Sequence, residues 1–125
     1  ETLTYLTSDS TEKATVSNFQ NAKFTGVYET EKLDSKDPYD VFLSGATPLT
    51  VIKNPNAEKE RKLVIFRDSY GSSIAPLLIG AYSEITLVDL RYMASDLLEK
   101  YVDFTDAEVL FLMSDKVVNN STLLK

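Results

Sequence analysis

The 125-residue sequence contains no histidine, no cysteine and no tryptophan. Without cysteine the chain can form no disulfide, no thiolate nucleophile and no zinc–cysteine site, and without histidine it offers no imidazole ligand. A metal site would have to be built from oxygen atoms, and we expect neither a metal nor another cofactor. A serine nucleophile would also lack its usual activating base, because that base is an imidazole.

The chain also lacks a cluster of basic residues and a long apolar run. Its formal charge of −6 comes from 19 acidic and 13 basic residues spread along the whole length. Binding to nucleic acid or to anionic lipid depends on clustered lysine and arginine, so both are disfavoured. The longest apolar runs, LVIF and VLFLM, are too short to span a bilayer, and we expect no membrane insertion of this chain.

Length and composition favour one globular domain. An apolar fraction of 43% and a charged fraction of 26% are ordinary for a folded globular protein, so we predict a single domain over residues 1–125. The sequence opens with Glu1 rather than Met, and we therefore expect upstream polypeptide that these residues do not include.

From residue 61 onward, strand-like and helix-like segments alternate. The predicted strands are KLVIF (62–66), EITLVDL (84–90) and EVLFLMS (108–114), and the predicted helices are SSIAPLLIGAY (72–82) and YMASDLLEKY (92–101). This βαβαβ order indicates a parallel sheet. At the start of the first helix, Ser72 or Ser73 is the candidate cap, and Pro76 is expected in the first turn.

Residues 1–60 are β-rich instead, with few helix signals. The segments with β character are TLTYLTS, KATVSNF, FTGVYET, YDVFLSG and TPLTVIKN, separated by turn residues. We expect these short strands to form hairpins that extend or flank the parallel sheet. The segment NPNAEKER (54–61) is predicted to be an exposed connection between the two halves.

The stretch LVIFRDSYGSS (63–73) contains the candidate catalytic residue. Its apolar strand is followed by Asp68 and Ser69, which places Ser69 at a strand's carboxyl end, where a parallel sheet lines its ligand crevice. The N–H groups at the start of the next helix would point to the same region and could stabilise an oxyanion. The alternative is that Asp68 and Ser69 only build a turn, because both residue types are favoured there.

The same geometry places other polar residues after the neighbouring strands. Arg91 and Tyr92 follow the second predicted strand, and Ser114 and Asp115 follow the third. If these strands pair, the residues share one rim with Ser69, and we predict substrate contacts from Asp68, Arg91 and Tyr92. The alternatives are that Arg91 pairs with a surface carboxylate and that Tyr92 only packs.

A lysine could replace histidine as the base, but the spacing does not favour it. Lys62 lies at the opposite end of the strand that carries Ser69, roughly 20 Å away at about 3.3 Å per residue. Lys53 and Lys116 remain conceivable, with no spacing argument for either. Ser69, if catalytic, therefore belongs to a site that is completed elsewhere.

Four sequence blocks together resemble the C-terminal part of the DHHW family, namely YDVFLSGATPLTVIKN, LVIFRDSYGSSIAPLL, ITLVDLRY and VLFLMS. Members of this family are bacterial proteins similar to SGNH (GDSL-type) hydrolases and to alginate O-acetyltransferases. The resemblance implies an α/β fold, a three-layer α/β/α sandwich of SGNH-hydrolase-like (flavodoxin-like) type, with a mostly parallel sheet and added β-hairpin segments.

The resemblance also assigns residues. Asp68 and Ser69 match the aspartate and nucleophilic serine of the Gly-Asp-Ser block, whereas Arg67 replaces its glycine. In the acetyltransferase-like relatives an Asp-x-His motif upstream of the serine supplies the base, and this chain contains no such sequence. The resemblance therefore implies that the chain is the C-terminal part of a larger SGNH-like domain, with the base on a missing N-terminal segment of the same protein.

Three functions follow as hypotheses. The resemblance implies an extracytoplasmic or cell-surface bacterial acyl esterase or O-acetyltransferase that acts on a surface carbohydrate, with the chain alone inactive. The second hypothesis is a non-catalytic carbohydrate-binding or scaffold domain of SGNH-like fold, because Arg67 replaces the block's glycine. The third is phosphoryl transfer of haloacid-dehalogenase type through Asp68, although Tyr70 stands where a second aspartate is needed.

Overall fold

The computed structural model describes residues 3–18, 26–28, 30–43 and 47–119. The strands of this part of the chain are β1 Thr15–Asn18, β2 Leu49–Lys53, β3 Lys62–Arg67, β4 Glu84–Val88 and β5 Ala107–Leu112. Its α-helices are α1 Asp9–Lys13, α2 Gly71–Leu78, α3 Leu98–Tyr101 and α4 Asp115–Asn119. Short 3-10 helices lie at Thr30–Asp34, Pro38–Val41, Ile79–Ala81 and Ser95–Leu97.

The strands form one mixed sheet in the order β1-β2-β4-β3-β5. The strand β3 lies between β4 and β5 and is parallel to both, with Val64 opposite Thr86 of β4 and Val109 of β5. On the other side, β2 is antiparallel to β4, and β1 is antiparallel to β2. The predicted parallel unit is confirmed, and two strands of the first half extend it.

The central position of β3 follows from its uninterrupted apolar sequence. Its residues from Leu63 to Phe66 are all buried, and successive side chains of a strand point to opposite faces of the sheet. Leu63 and Ile65 pack with Ala75 and Ile79 in one core, whereas Val64 and Phe66 belong to a second core. The second core also contains Leu49, Val88, Met93 and Val102. Apolar residues thus cover both faces, while the three-layer sandwich stays a prediction.

The predicted β segments of residues 1–60 are only partly correct. KATVSNF and TPLTVIKN contain β1 and β2, but FTGVYET and YDVFLSG contribute a single bridge between Tyr28 and Phe42 in the described residues. TLTYLTS forms no strand over its described residues 3–8, and the short helix α1 follows it. This helix starts with a capping box, in which Ser8 and Thr11 bond each other's backbone N–H groups.

The helix predicted at 92–101 is also shorter than expected. Its first residues form a turn instead, because the carbonyl oxygen of Asp89 accepts hydrogen bonds from the N–H groups of Tyr92 and Met93 at 3.0 Å. Ala94 is extended, and helical structure begins only at Ser95. No helix in the described residues is both long enough and apolar enough to cross a bilayer.

A buried and an exposed leucine provide a test of the core of the sheet. Leu87 on β4 is fully buried, whereas Leu77 on α2 is 60% exposed. We expect Leu87→Ala to lower the free energy of unfolding by about 2–5 kcal/mol, because it leaves a cavity in the core. Leu77→Ala should change it by about 0.5 kcal/mol or less. Urea unfolding measures both, and equal losses would contradict the assigned core.

Candidate active site

Ser69 lies at the carboxyl end of the central strand, two residues after β3 ends at Arg67. Its side chain is partly exposed, although the residues from Leu63 to Asp68 before it are buried. Within the described residues the Ser69 hydroxyl makes no hydrogen bond. The hydroxyl is therefore open to a ligand at the rim where the parallel strands end.

Asp68 holds this rim together. Asp68 is 1% exposed. Its two carboxylate oxygens accept hydrogen bonds from two backbone N–H groups, one in its own turn and one after β5. Oδ1 accepts from the N–H of Tyr70 at 3.0 Å, and Oδ2 accepts from the N–H of Ser114 at 2.6 Å. Since Ser114 follows β5, this single carboxylate joins the ends of two neighbouring strands.

The hydrogen bonds to Asp68 favour its charged form. Burial by itself raises the pKa of Asp68, but the hydrogen bonds from Ser114 and Tyr70, together with the positive charge of Arg91, outweigh burial and lower it. The carboxylate is thus ionised at neutral pH. An ionised acceptor makes stronger hydrogen bonds than a neutral one, which explains how one side chain can fix the turn.

Tyr39 supports the same turn from the first half of the chain. Its hydroxyl oxygen lies 2.9 Å from the carbonyl oxygen of Ser69 and 2.9 Å from the hydroxyl oxygen of Ser73. Sequence reasoning did not predict this contact, which spans 30 residues. The one available signal was its position in the block YDVFLSG, which the family resemblance includes.

Arg91 lies on the rim as predicted from the strand order, but its guanidinium is bound to a carboxylate. Nε and Nη2 of Arg91 donate to Asp89 at 2.9 and 2.7 Å, and Asp89 is fully buried. The hydrogen bonds to Asp89 raise the pKa of Arg91. Tyr92 is 60% exposed, with its ring centroid 5.2 Å from the guanidinium carbon of Arg91. The role of Asp89 as the partner of Arg91 was not predicted from the sequence. The spacing Asp-x-Arg at residues 89–91 is the one feature that could have indicated it.

Arg67 does not face the rim. The residue is 1% exposed, and its Nη1 donates to the hydroxyl of Ser72 at 2.8 Å. Burial lowers the pKa of Arg67, and the nearby negative charge of Asp89 opposes this effect. The arginine that replaces the glycine of the family block therefore points into the protein and leaves the rim open.

The start of α2 differs from the prediction in a way that also concerns the site. The helix begins at Gly71, and neither Ser72 nor Ser73 caps it, because Ser72 bonds Arg67 and Ser73 bonds Tyr39. Turn hydrogen bonds from Gly71 to the carbonyl of Asp68 and from Ser72 to the carbonyl of Ser69 start the helix earlier. Pro76 consequently lies inside the helix rather than in its first turn.

The register of the sheet shows where two of the three candidate lysine bases lie relative to Ser69. Lys62 and Lys53 are both opposite Glu84, at the amino end of β4 and thus at the far end of the sheet from Ser69. Lys116 follows β5 and lies in α4 on the rim side. Lys53 and Lys62 are therefore excluded as partners of Ser69.

The described residues contain no group of three or more acidic side chains placed to hold a metal ion. Both oxygens of Asp68 are bound to backbone N–H groups, so this carboxylate is not free to attack a phosphoryl group. The rim instead combines an open serine hydroxyl with buried charges that fix the backbone around it.

An α/β chain with a serine at the carboxyl end of its central parallel strand has the features of an SGNH-like protein, and comparison with solved structures agrees. Bacillus cereus PatB1 matches with 26% sequence identity over 90% of this chain and 36% of that chain, at a TM-score of 0.61. PatB1 with a sulfonyl adduct matches with 25% identity over 90% of this chain and 38% of that chain, at a TM-score of 0.60.

A DHHW family protein from Eubacterium siraeum is similar as well. It matches with 27% identity over 81% of this chain and 34% of that chain, at a TM-score of 0.53. The resemblance to the DHHW family and the SGNH-like fold are thereby confirmed. The chain spans little more than a third of each of these structures. No protein-family model matches the chain, and neither does any curated protein sequence.

The role assigned to Asp68 makes a pH-dependent prediction. Asp68→Asn should lower the free energy of unfolding by about 1–3 kcal/mol at pH 7, because it weakens hydrogen bonds to a buried acceptor. The pKa of Asp68 is lower in the folded than in the unfolded protein, so its contribution is complete above about pH 4 and is lost as the pH falls through the folded value. The difference in the free energy of unfolding between the wild-type protein and Asp68→Asn should therefore shrink in acid.

Urea unfolding of both proteins between pH 7 and pH 2 measures this gap. Asp96→Asn serves as the control, because Asp96 is exposed and should contribute about 0.5 kcal/mol or less throughout. A gap for Asp68→Asn that stays constant down to pH 2, or that matches the control, would contradict the bridging role.

Proposed function

We propose that this chain is part of an SGNH-like acyl esterase or O-acetyltransferase that acts on a cell-surface carbohydrate, with Ser69 as the nucleophile. The observation that carries the proposal is the open Ser69 hydroxyl at the carboxyl end of the central parallel strand. The similar structure of PatB1 with a sulfonyl adduct supports it, because sulfonyl reagents modify reactive nucleophiles. An extracytoplasmic location at a bacterial cell surface belongs to the same proposal.

The reaction would proceed through an acyl-enzyme. The Ser69 oxygen attacks the carbonyl carbon of an acyl ester, its proton passes to a base, and the C–O bond to the leaving alcohol breaks as that alcohol is protonated. Water or a sugar hydroxyl then attacks the acyl-enzyme and restores the serine. Transfer to water gives an esterase, and transfer to a sugar gives an O-acetyltransferase.

The base is the component that these 125 residues do not supply. They contain no histidine, and the sheet places Lys53 and Lys62 at the wrong end. Lys116 lies on the rim side, but within the described residues its side chain makes no hydrogen bond to Ser69. We assign the base to a carboxylate–histidine pair on an N-terminal segment of the same protein. The similar structures are almost three times as long as the part that this chain matches, which leaves room for such a segment.

The free edge of β5 is the place where this segment would join the sheet. In the described residues β5 pairs on one side only, with β3, and its Val109, Leu110 and Phe111 are exposed. Phe111 is 68% exposed while its ring stacks on Phe66 at 4.8 Å. A strand edge with unpaired N–H and C=O groups beside apolar side chains favours addition of another strand. The chain would then be the C-terminal part of a larger domain.

Substrate contacts are proposed for the three rim residues predicted from the sequence. Tyr92 offers an exposed aromatic ring, which suits the apolar face of a sugar. Arg91 remains partly exposed while bound to Asp89, so its guanidinium can still approach an acyl or sugar oxygen. Asp68 would act mainly through the backbone that it fixes, because its oxygens are occupied.

Ser69→Ala tests the proposal in the protein as its gene encodes it. We expect that protein to hydrolyse an aryl acetate and the substitution to reduce the rate by at least about a thousandfold, because no acyl-enzyme can form. Thr105→Ala is the control, since Thr105 is exposed and precedes β5 at the end of the sheet opposite Ser69, and it should leave the rate unchanged. The 125-residue chain alone should be inactive.

Two outcomes would contradict this account. Turnover by the encoded protein that survives Ser69→Ala would exclude Ser69 as nucleophile, and turnover by the 125-residue chain that depends on Ser69 would overturn the assignment of the base elsewhere. The alternative of a carbohydrate-binding or scaffold domain predicts no turnover and an unchanged sugar affinity in Ser69→Ala. Its motivation is weakened by the inward orientation of Arg67.

A further inference from the structure

Arg67 is the largest of the almost completely buried side chains in the described residues. It is the last residue of β3 and directly precedes the turn that carries Ser69. No carboxylate of the described residues lies within 4.0 Å of its guanidinium, and its Nε has no hydrogen-bond partner there. A buried charge without a paired carboxylate is costly, and an apolar side chain of similar size could fill the same space. What distinguishes Arg67 from such an apolar side chain is the set of contacts made by its guanidinium and its stem.

The guanidinium touches both the turn and the sheet. Nη1 donates to the Ser72 hydroxyl at 2.8 Å and lies 3.4 Å from the carbonyl oxygen of Asp68, while Nη2 lies 3.4 Å from the hydroxyl of Thr50 on β2. The short bond to Ser72 connects the end of β3 to the first turn of α2. This bond thus encloses the four residues between Arg67 and Ser72, including Ser69.

The aliphatic stem of Arg67 makes the second contact, with Gly71. A Cβ placed on Gly71 would lie 2.7 Å from Cβ of Arg67, 3.0 Å from its Cγ and 3.3 Å from its Cδ. Such distances are too short for carbon atoms, so only glycine fits there. The first residue of α2 therefore rests directly on the arginine stem, and the start of the helix cannot move toward the sheet.

The peptide group between Asp68 and Ser69 is oriented by these contacts. Its carbonyl oxygen accepts the N–H of Gly71 at 3.1 Å and faces the buried guanidinium. This peptide is trans, so its N–H points away from the carbonyl. The N–H of Ser69 consequently points away from Arg67 and makes no hydrogen bond within the described residues, so it is available to an oxyanion that forms during attack by Ser69.

We propose that Arg67 is a positioning residue, which holds the Ser69 turn from inside the protein through Ser72 and Gly71 and orients the Ser69 N–H toward the rim. This inference rests on the proposed role of Ser69 as nucleophile. Arg67 touches no reacting atom and acts through the backbone that carries them.

The experiment measures covalent modification of Ser69 by phenylmethanesulfonyl fluoride in the protein as its gene encodes it. In this reaction the serine oxygen forms a bond to sulfur, the S–F bond breaks, fluoride leaves and the serine proton passes to the base. Arg67→Met keeps an unbranched apolar stem and removes the donors. We expect it to lower the maximal rate of modification at least tenfold, with the half-saturating reagent concentration unchanged.

Two further variants separate positioning from stability. Leu87→Ala destabilises the core without touching the turn, and at a temperature where it remains folded it should be modified at the wild-type rate. Arg67→Lys retains a charge and a donor for Ser72, so it should recover part of the rate. If Arg67→Met does not fold, the modification rates of Arg67→Lys and Leu87→Ala are compared instead. The expected reduction in the rate of Arg67→Lys is then smaller than tenfold.

Each outcome decides the question. A wild-type rate in Arg67→Met, or equal slowing in Arg67→Met and Leu87→Ala, would overturn the positioning role and leave the proposed function standing. Absence of Ser69 modification in the wild-type protein would overturn the proposed function and this inference together. Slowing confined to the Arg67 variants, with partial recovery by lysine, is the result that the inference predicts.

Discussion

The candidate site depends on one buried carboxylate. Asp68 accepts the N–H of Tyr70 within its own turn and the N–H of Ser114 at the end of β5, and these two bonds fix the turn after β3 against the neighbouring strand. Without this bridge the ends of the two strands would be connected only by their own ladder, which stops at Arg67 and Leu112. The open position of Ser69 is therefore a consequence of the buried position of Asp68.

Charge is distributed unequally between the two ends of the sheet. At the carboxyl end of the parallel strands, three charged residues are buried, namely Arg67, Asp68 and Asp89. At the amino end, the side chains of the Arg61–Glu108 ion pair are about half exposed to solvent. Buried charges are costly unless they are well bonded, and they persist where they fix a backbone that function requires. This asymmetry favours the Ser69 rim over other surfaces as the site of chemistry.

Much of the sheet could be predicted from the sequence, because each of its parallel strands is indicated by a short apolar run within its own residues. The run LVIF is continuously apolar and ITLV contains one polar residue, Thr86, and such runs are typical of parallel strands buried on both faces. The strand order then placed Asp68, Arg91 and Ser114 at one rim. The family resemblance, carried by short blocks, gave the same arrangement and agrees with the similar structures.

What could not be predicted depends on contacts between distant residues. The hydrogen bond from Tyr39 to the Ser69 carbonyl spans 30 residues, and the orientation of Arg67 depends on the absence of a side chain at Gly71. Nothing in the local sequence indicates whether an arginine at a strand end faces the rim or the core. The helix predicted after β4 was too long because the carbonyl of Asp89 forms a turn with the N–H groups of Tyr92 and Met93, which apolar periodicity does not reveal.

The most direct test of this account is the NMR signal of the Ser114 amide proton as a function of pH. A strongly downfield signal is expected at neutral pH, because the Ser114 N–H donates to the charged carboxylate of Asp68, 46 residues earlier in the sequence, at a donor–acceptor distance of 2.6 Å. The signal should move upfield in acid with a midpoint below about 3.9, the pKa of a free aspartate. A Ser114 signal at an ordinary position that does not respond to pH, or that titrates above this value, would contradict the account.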